Sequence, residues 1–250
     1  MGEKGNPMDI LKESLTFSQN NIREISFNKK SIKSVLAIGI FSSMIELTRS
    51  MITLLETNNF TGPYSIFRTF LECYVDVINI HNNEEYFKLL MLEFHEREER
   101  LMRSSKKGNK YTKSLLEMDN FCLIYKKHKN EIRSLKKIVQ RVDGKTTIAE
   151  KFTMAGLKDE YDSIYSKLCT EAHSSLEAVL NRHLEFDEDN KDMTVLLYNN
   201  KKAADFYYYI GTMPLLLLKA GVLTCETLNS GSSSLFSEKY HEVELMIINN

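Results

Sequence analysis

Between Gly62 and Ile80 the chain reads GPYSIFRTFLECYVDVINI, a stretch that can fold in few ways. Gly-Pro interrupts whatever precedes it, and Pro63 suits the first turn of a helix, where its missing N–H would be unpaired anyway. At roughly 100° per residue, Ser65, Arg68, Thr69, Glu72, Asp76 and Asn79 share one arc of about 100°. Nearly every other position is apolar. Such a helix is buried on most sides and keeps one polar seam, on which Arg68 and Glu72 are neighbours four residues apart.

The preceding segment repeats this design. Ser31 is the expected N-cap of an apolar helix running to about Thr57, whose narrow polar arc holds Ser42, Glu46, Arg49, Ser50, Thr53 and Thr57. The short turn 58–62 makes the two an antiparallel hairpin. Upstream, residues 1–6 read as a disordered start, and Pro7 opens a helix ending near Asn28. Downstream, Asn83 is the expected cap of a helix that grows heavily charged after Phe94 and stops at a turn over 107–109. A long helix from about Lys110 to Val142 follows, so 92–145 reads as a charged helical hairpin projecting from the bundle.

Asp143-Gly144-Lys145 is a turn. A short helix over 147–156 ends on Gly156, and another runs from Lys158 to about Glu171. Ser174-Ser175-Leu176-Glu177 fits a capping box that starts a fresh helix. The segments 184–186 and 193–198 flank an Asp/Asn-rich turn as a small β-hairpin. Helices over 201–229, with Pro214 as a source of kinking, and over 235–248 complete the chain. The expected fold is all-α: an up-and-down bundle of long helices forming one domain over 7–250, with a basic hairpin and one small β-hairpin.

Composition narrows the class. Hydrophobic residues make up 42% and charged residues 27%, which is ordinary for a soluble globular protein. The four cysteines (73, 122, 169 and 225) are far apart, with neither a CxxC pair nor zinc spacing, so they read as reduced thiols. No apolar export signal lies in residues 1–9, and a cytoplasmic location is expected. Tyr207–Cys225 is long enough to span a bilayer by count, but Lys219 interrupts it and no basic flank follows. It reads as a core helix, with no membrane partner. Net charge is −1, yet Arg97–Lys145 carries fifteen Lys or Arg against six Asp or Glu. This excess is either the solvated face of long helices or a sequence-blind surface for phosphates. On the second reading Arg100, Arg103, Lys106, Lys107, Lys126, Lys127, Arg133, Lys136 and Lys137 are candidate nucleic-acid contacts.

Several chemistries are missing. A di-iron bundle needs two Glu-x-x-His pairs, and only Glu238-x-x-His241 has that spacing. There is no Gly-rich phosphate loop, no H-E-x-x-H and no Gly-x-Ser-x-Gly. Neither metal nor cofactor is expected. What remains is Tyr165, His173 and the Arg68/Glu72 seam. An unbroken helix would align Tyr161, Tyr165, Cys169 and His173 in one stripe. A break at the capping box would instead leave His173 before a helix N-terminus beside Ser174 and Ser175, where free N–H groups favour an anion. Arg49 on the other seam is a further candidate anion ligand. His173 reads either as a structural hydrogen-bonding residue or as an acid–base group, and Arg68–Glu72 either as a packing ion pair or as part of a site.

The pattern Tyr64-x-x-x-Arg68-x-x-x-Glu72, followed by Tyr165-x-x-Leu168-Cys169-x-x-Ala172-His173-Ser174, resembles a bacterial helical family of unknown function, DUF5677, over about 31–198. More distantly the chain resembles the HEPN superfamily of helical RNA-binding and RNA-cutting domains. The resemblance implies an all-helical cytoplasmic protein, often of mobile or defence-associated genes, without an established activity; the expected partners are RNA or another nucleic acid, a partner protein of a defence operon, or a second copy. General acid–base and oxyanion logic, rather than the resemblance, makes His173 the base, Arg68 the phosphate stabiliser and Tyr165 and Glu72 the orienting groups of an expected metal-independent RNA cleavage. The HEPN signature is Arg followed by four to six residues and then His, and none of the six histidines here has an Arg at that spacing upstream. That departure counts against cleavage and leaves a second expectation, a non-catalytic helical module binding a partner protein, nucleic acid or a small ligand.

Overall fold

In the computed structural model the described residues are 6–139, 146–173, 175–187, 191–197 and 203–248. Residues 1–5, the turn at 143–145 and Ser174 lie outside them. Helix α1 (Pro7–Asn21) starts with Pro7 at its first position and the Asn6 side chain accepting from the Met8 N–H. It ends well before Asn28. The Asn21 amide donates back to the Phe17 carbonyl, and a 3₁₀ turn, Ile22–Glu24, takes over. Ser31 caps α2 (Ile32–Glu56), accepting from the Ser34 N–H. Helix α3 (Gly62–Asn82) follows the turn and packs most extensively on α2.

The chain divides into two compact units. One combines 1–82 with 148–250; the other is 83–147, within which the charged 92–145 stretch falls. In the second unit α4 (Tyr86–Lys106) packs on α5 (Phe121–Ile138). Both helices start later than their sequence suggests, because side chains compete locally for backbone groups. Asn83 accepts from the Glu85 N–H rather than capping a helix, and Asn109 accepts from the Tyr111 N–H. A 3₁₀ segment, Lys113–Glu117, then occupies the span read as helical from Lys110.

In the first unit α6 (Ile148–Met154) ends near Gly156, whose φ of +76° suits only glycine without strain. The next segment is α7 (Lys158–Glu160), a π turn (Tyr161–Tyr165) and α8 (Ser166–Ala172). Ser175 caps α9 (Leu176–His183), accepting from the Ala178 N–H. Strands β1 (Leu184–Asp187) and β2 (Asp192–Val195) pair antiparallel, Leu184 with Val195. Helices α10 (Ala203–Thr227), with Pro214 inside it, and α11 (Ser233–Ile248) finish the unit.

The core lies where α2, α3 and α10 meet, around Phe41, Met44, Phe67, Phe70, Met213 and Leu217, all nearly inaccessible. It explains the all-round apolar sequences. Ile32–Glu56 and Tyr208–Thr227 are long and apolar enough to cross a membrane by length and composition, and both supply core residues. The fold is all-α with one small hairpin.

Candidate functional site

The seam of α3 is covered at two levels by two different helices. Nearer its C-terminal end, Asn79 is buried and donates to the Lys151 carbonyl at 2.9 Å, while the Lys151 ammonium stands 3.5 Å from Asp76. Lys151 comes from α6 and is itself buried. Nothing in the sequence singles it out beyond being the one cation in a short, largely apolar helix.

The other level carries the candidate site, where α8 packs against α3. The Arg68 guanidinium meets three partners there. Its Nε donates to the Tyr165 hydroxyl at 3.2 Å, Nη1 lies 3.2 Å from His173 Nε2, and Nη2 lies 3.1 Å from Glu72 Oε1. The Tyr165 hydroxyl donates to the same Glu72 oxygen at 2.6 Å. Arginine has no acceptor. The Arg68–His173 contact therefore needs a lone pair on Nε2, which places the ring proton of neutral His173 on Nδ1.

All four residues named from the sequence for catalysis thus converge, across 93 to 105 positions of chain. Arg68 and Glu72 keep 26% and 29% of their side-chain surface exposed, and His173 is exposed, so one side of the cluster opens to solvent. Tyr165 is the closed side, with 3% exposure. Behind it stand Phe152, with ring centres 4.8 Å apart, and Tyr161, stacked at 5.4 Å.

The π turn and the helix break set this geometry. A π turn widens the helix by one residue per turn and re-aims side chains beyond it. Here it ends on Tyr165. His173 is the C-cap residue of α8, its N–H bonded to the Cys169 carbonyl. The break is held from below by a buried ion pair missed in the sequence, Arg182 Nε to Glu171 Oε2 at 3.7 Å, with Arg182 also donating to the Ala178 carbonyl.

Electrostatics follow the packing. Burial, then the hydrogen bond to Glu72, push the Tyr165 phenol well above its ordinary value, the Arg68 contact pulling the other way. At Arg68 burial opposes the charge, but the Tyr165 bond and nearby Glu72 outweigh it and favour the cation. Cys73, on the same helix, is pushed up to about 12 by burial and then by Asp76 and Glu72. It is a poor nucleophile.

The other candidates are engaged as follows. Ser175 uses its hydroxyl as an N-cap. Arg49 lines a separate shallow groove of about 570 Å³ with Arg23, Glu46 and Ser42. In the second unit Arg100, Arg103, Arg133 and Lys136 line one groove, whereas Lys106 lies over the Tyr125 ring at 4.1 Å. Lys107, Lys126, Lys127 and Lys137 are exposed outside that groove's lining. Among the described residues no group of three or more His, Cys, Asp or Glu is placed to hold a metal.

A family model described as "Family of unknown function (DUF5677)" matches residues 34–192, a stretch that contains the whole Arg68–Tyr165–Glu72–His173 cluster. No curated protein and no solved structure matches the chain.

Proposed function

The chain belongs to the DUF5677 family, and from the polar cluster inside the matched stretch we propose that it acts on RNA as a metal-independent, HEPN-like ribonuclease of a defence or toxin-type system. One observation carries this reading. Arg68 is held by Tyr165 and Glu72 and touches His173, yet a guanidinium has five N–H groups and only three are engaged. Two remain for an anion, on a cluster with an open side. HEPN domains pair Arg and His within a few residues of one helix; this chain pairs them across two helices.

In the proposed reaction a phosphodiester binds the free N–H groups of Arg68. Phosphate binding draws Arg68 Nη1 away from His173, and the Nε2 lone pair so released takes the proton of the adjacent 2′-hydroxyl. The 2′-oxygen attacks phosphorus, and Arg68 stabilises the charge that builds on the non-bridging oxygens. The P–O5′ bond breaks, and the 5′-oxygen leaves as an alcohol by taking the proton back from the imidazolium. The products are a 2′,3′-cyclic phosphate and a 5′-hydroxyl. Tyr165 and Glu72 orient Arg68 and never leave it. The exposed basic residues of the second unit add sequence-blind affinity for the backbone.

The test is cleavage of single-stranded RNA by the purified protein in EDTA, with end-group analysis. His173→Ala and Arg68→Ala are each expected to lower the rate by roughly 10²–10⁴. Unchanged cleavage by the His173 variant sinks the proposal. A second reading, a non-catalytic interaction module, is favoured by Glu72 Oε1 accepting from both Tyr165 and Arg68, a network that also satisfies itself. RNA binding without any cleavage selects it.

A further inference from the structure

The second unit carries a groove of about 550 Å³ between α4 and α5, lined by Arg100, Arg103, Lys129, Ile132, Arg133 and Lys136. Two carboxylates also face it, but both are already matched. Glu96 pairs with Lys136 at 3.0 Å, and Glu99 lies 3.6 Å from Arg103 while accepting from the Tyr125 hydroxyl at 2.9 Å. Arg100 and Arg133 have no ion-pair partner among the described residues. A groove whose acidic groups are spent and which keeps two guanidiniums, Arg100 and Arg133, without a carboxylate is complementary to a polyanion.

The cationic line continues toward the segment joining the helices. Lys129 lies 5.6 Å from the Tyr125 ring centre, Lys106 covers the same ring, and Phe121 stacks parallel to it. From Tyr125 to Lys136 the line runs roughly 16 Å along α5, room for several phosphates rather than one. In the joining segment Tyr111 is 83% exposed, with the Lys110 ammonium 4.8 Å from its ring centre. An open aromatic face beside a cation is what an unstacked base packs on, and a duplex offers no such base.

We propose that this unit binds single-stranded RNA in preference to duplex, the α4–α5 groove holding the backbone and Tyr111 stacking a base. This rests on the RNA-directed reading above and names the form of RNA it takes. Arg100 and Arg133 supply affinity that salt screens. Tyr111 supplies the discrimination between strand forms.

The experiment uses the full chain carrying His173→Ala, so that probes survive, and follows fluorescence anisotropy of a labelled single-stranded RNA and of the same strand in a duplex. The expected result is tighter binding to the single strand. Adding Tyr111→Ala should weaken that complex roughly 5- to 150-fold and leave the duplex complex unchanged. Arg100→Ala with Arg133→Ala should weaken both and make the salt slope of the single-strand complex shallower by roughly 1.4. Arg100→Lys with Arg133→Lys, which keeps both charges, should retain most of that slope, and thermal melts of both pairs matching the parent show that the groove still folds. Equal affinity for the two forms, or a Tyr111→Ala protein with unaltered preference, overturns the inference. Cleavage measured separately on the wild-type chain keeps the readings apart, since RNA cut without strand preference leaves the proposed function standing.

Discussion

Tyr165 is the residue on which the candidate site turns, because it is the one member of the cluster that is almost wholly buried. Its hydroxyl donates a hydrogen bond to Glu72 and accepts one from Arg68, so Tyr165→Phe leaves two polar groups short of a partner. The expected cost is about 1–3 kcal/mol of stability, read from urea unfolding. The raised phenol adds a pH signature. A group whose folded pKa lies above its unfolded value near 10 contributes stability that is complete below pH 10 and lost as pH rises toward the folded pKa. Stability of the wild type should therefore fall faster than that of Tyr165→Phe above pH 10. Parallel curves would show that the phenol is not held protonated by the fold. Arg68 and Glu72 were legible as neighbours, since a four-residue step on a helix is fixed by backbone geometry. Their meeting with Tyr165 and His173 was not, because no local rule links segments about a hundred residues apart.

Elements carry two further consequences. Helices α10 and α11 meet at Gly221, where an added Cβ would strike the Phe236 ring, at Cδ1 and, 2.6 Å away, at Cε1. Phe236 is fully buried against Phe17 and Phe41 and has nowhere to go. Gly221→Ala is expected to destabilise by about 1–3 kcal/mol despite the better helix propensity of alanine. Much of the loss should return on adding Phe236→Leu; a double variant as unstable as the sum of the two singles would refute the contact.

Between α4 and α5, His95 Nδ1 and His128 Nδ1 stand 2.8 Å apart, so one must donate and the other accept. Burial, and then His128, lower the His95 pKa; Glu131 and Glu98 pull it up and Lys127 opposes them. A base with a lowered folded pKa costs stability as pH drops below its unfolded value near 6.5. The hairpin should loosen between pH 7 and 5, and His95→Phe should flatten that dependence in a thermal melt. An unchanged slope would mean that the pair does not titrate with unfolding.

At the scale of the molecule, the charge asymmetry and the core asymmetry coincide. The stretch with fifteen basic and six acidic residues lies in the second unit, and none of the described residues of 83–147 belongs to the main apolar core. Local stability follows buried apolar contact. In hydrogen exchange read by mass spectrometry, amides of α3 and α10 are expected to be the slowest and those of α4 and α5 distinctly faster. Uniform protection along the chain would contradict this. The unit expected to bind a flexible strand is also the one with less to lose by moving.

The sequence by itself determined the helices, their narrow polar seams, the Ser31 cap and the small hairpin, all of which depend on residues a few positions apart, and left a break after His173 as one of two alternatives. It overran α1 and α5, where Asn21 and Asn109 divert the backbone through short-range side-chain bonds. Only the tertiary structure decided what the α3 seam faces: Lys151 from α6 against Asp76 and Asn79, Tyr165 and His173 from the π turn and α8 against Arg68 and Glu72. A buried seam demands partners for its polar groups but does not name them. Which side chains supply them is settled when the helices pack, and that packing turns an ion pair on one helix into a site shared by two.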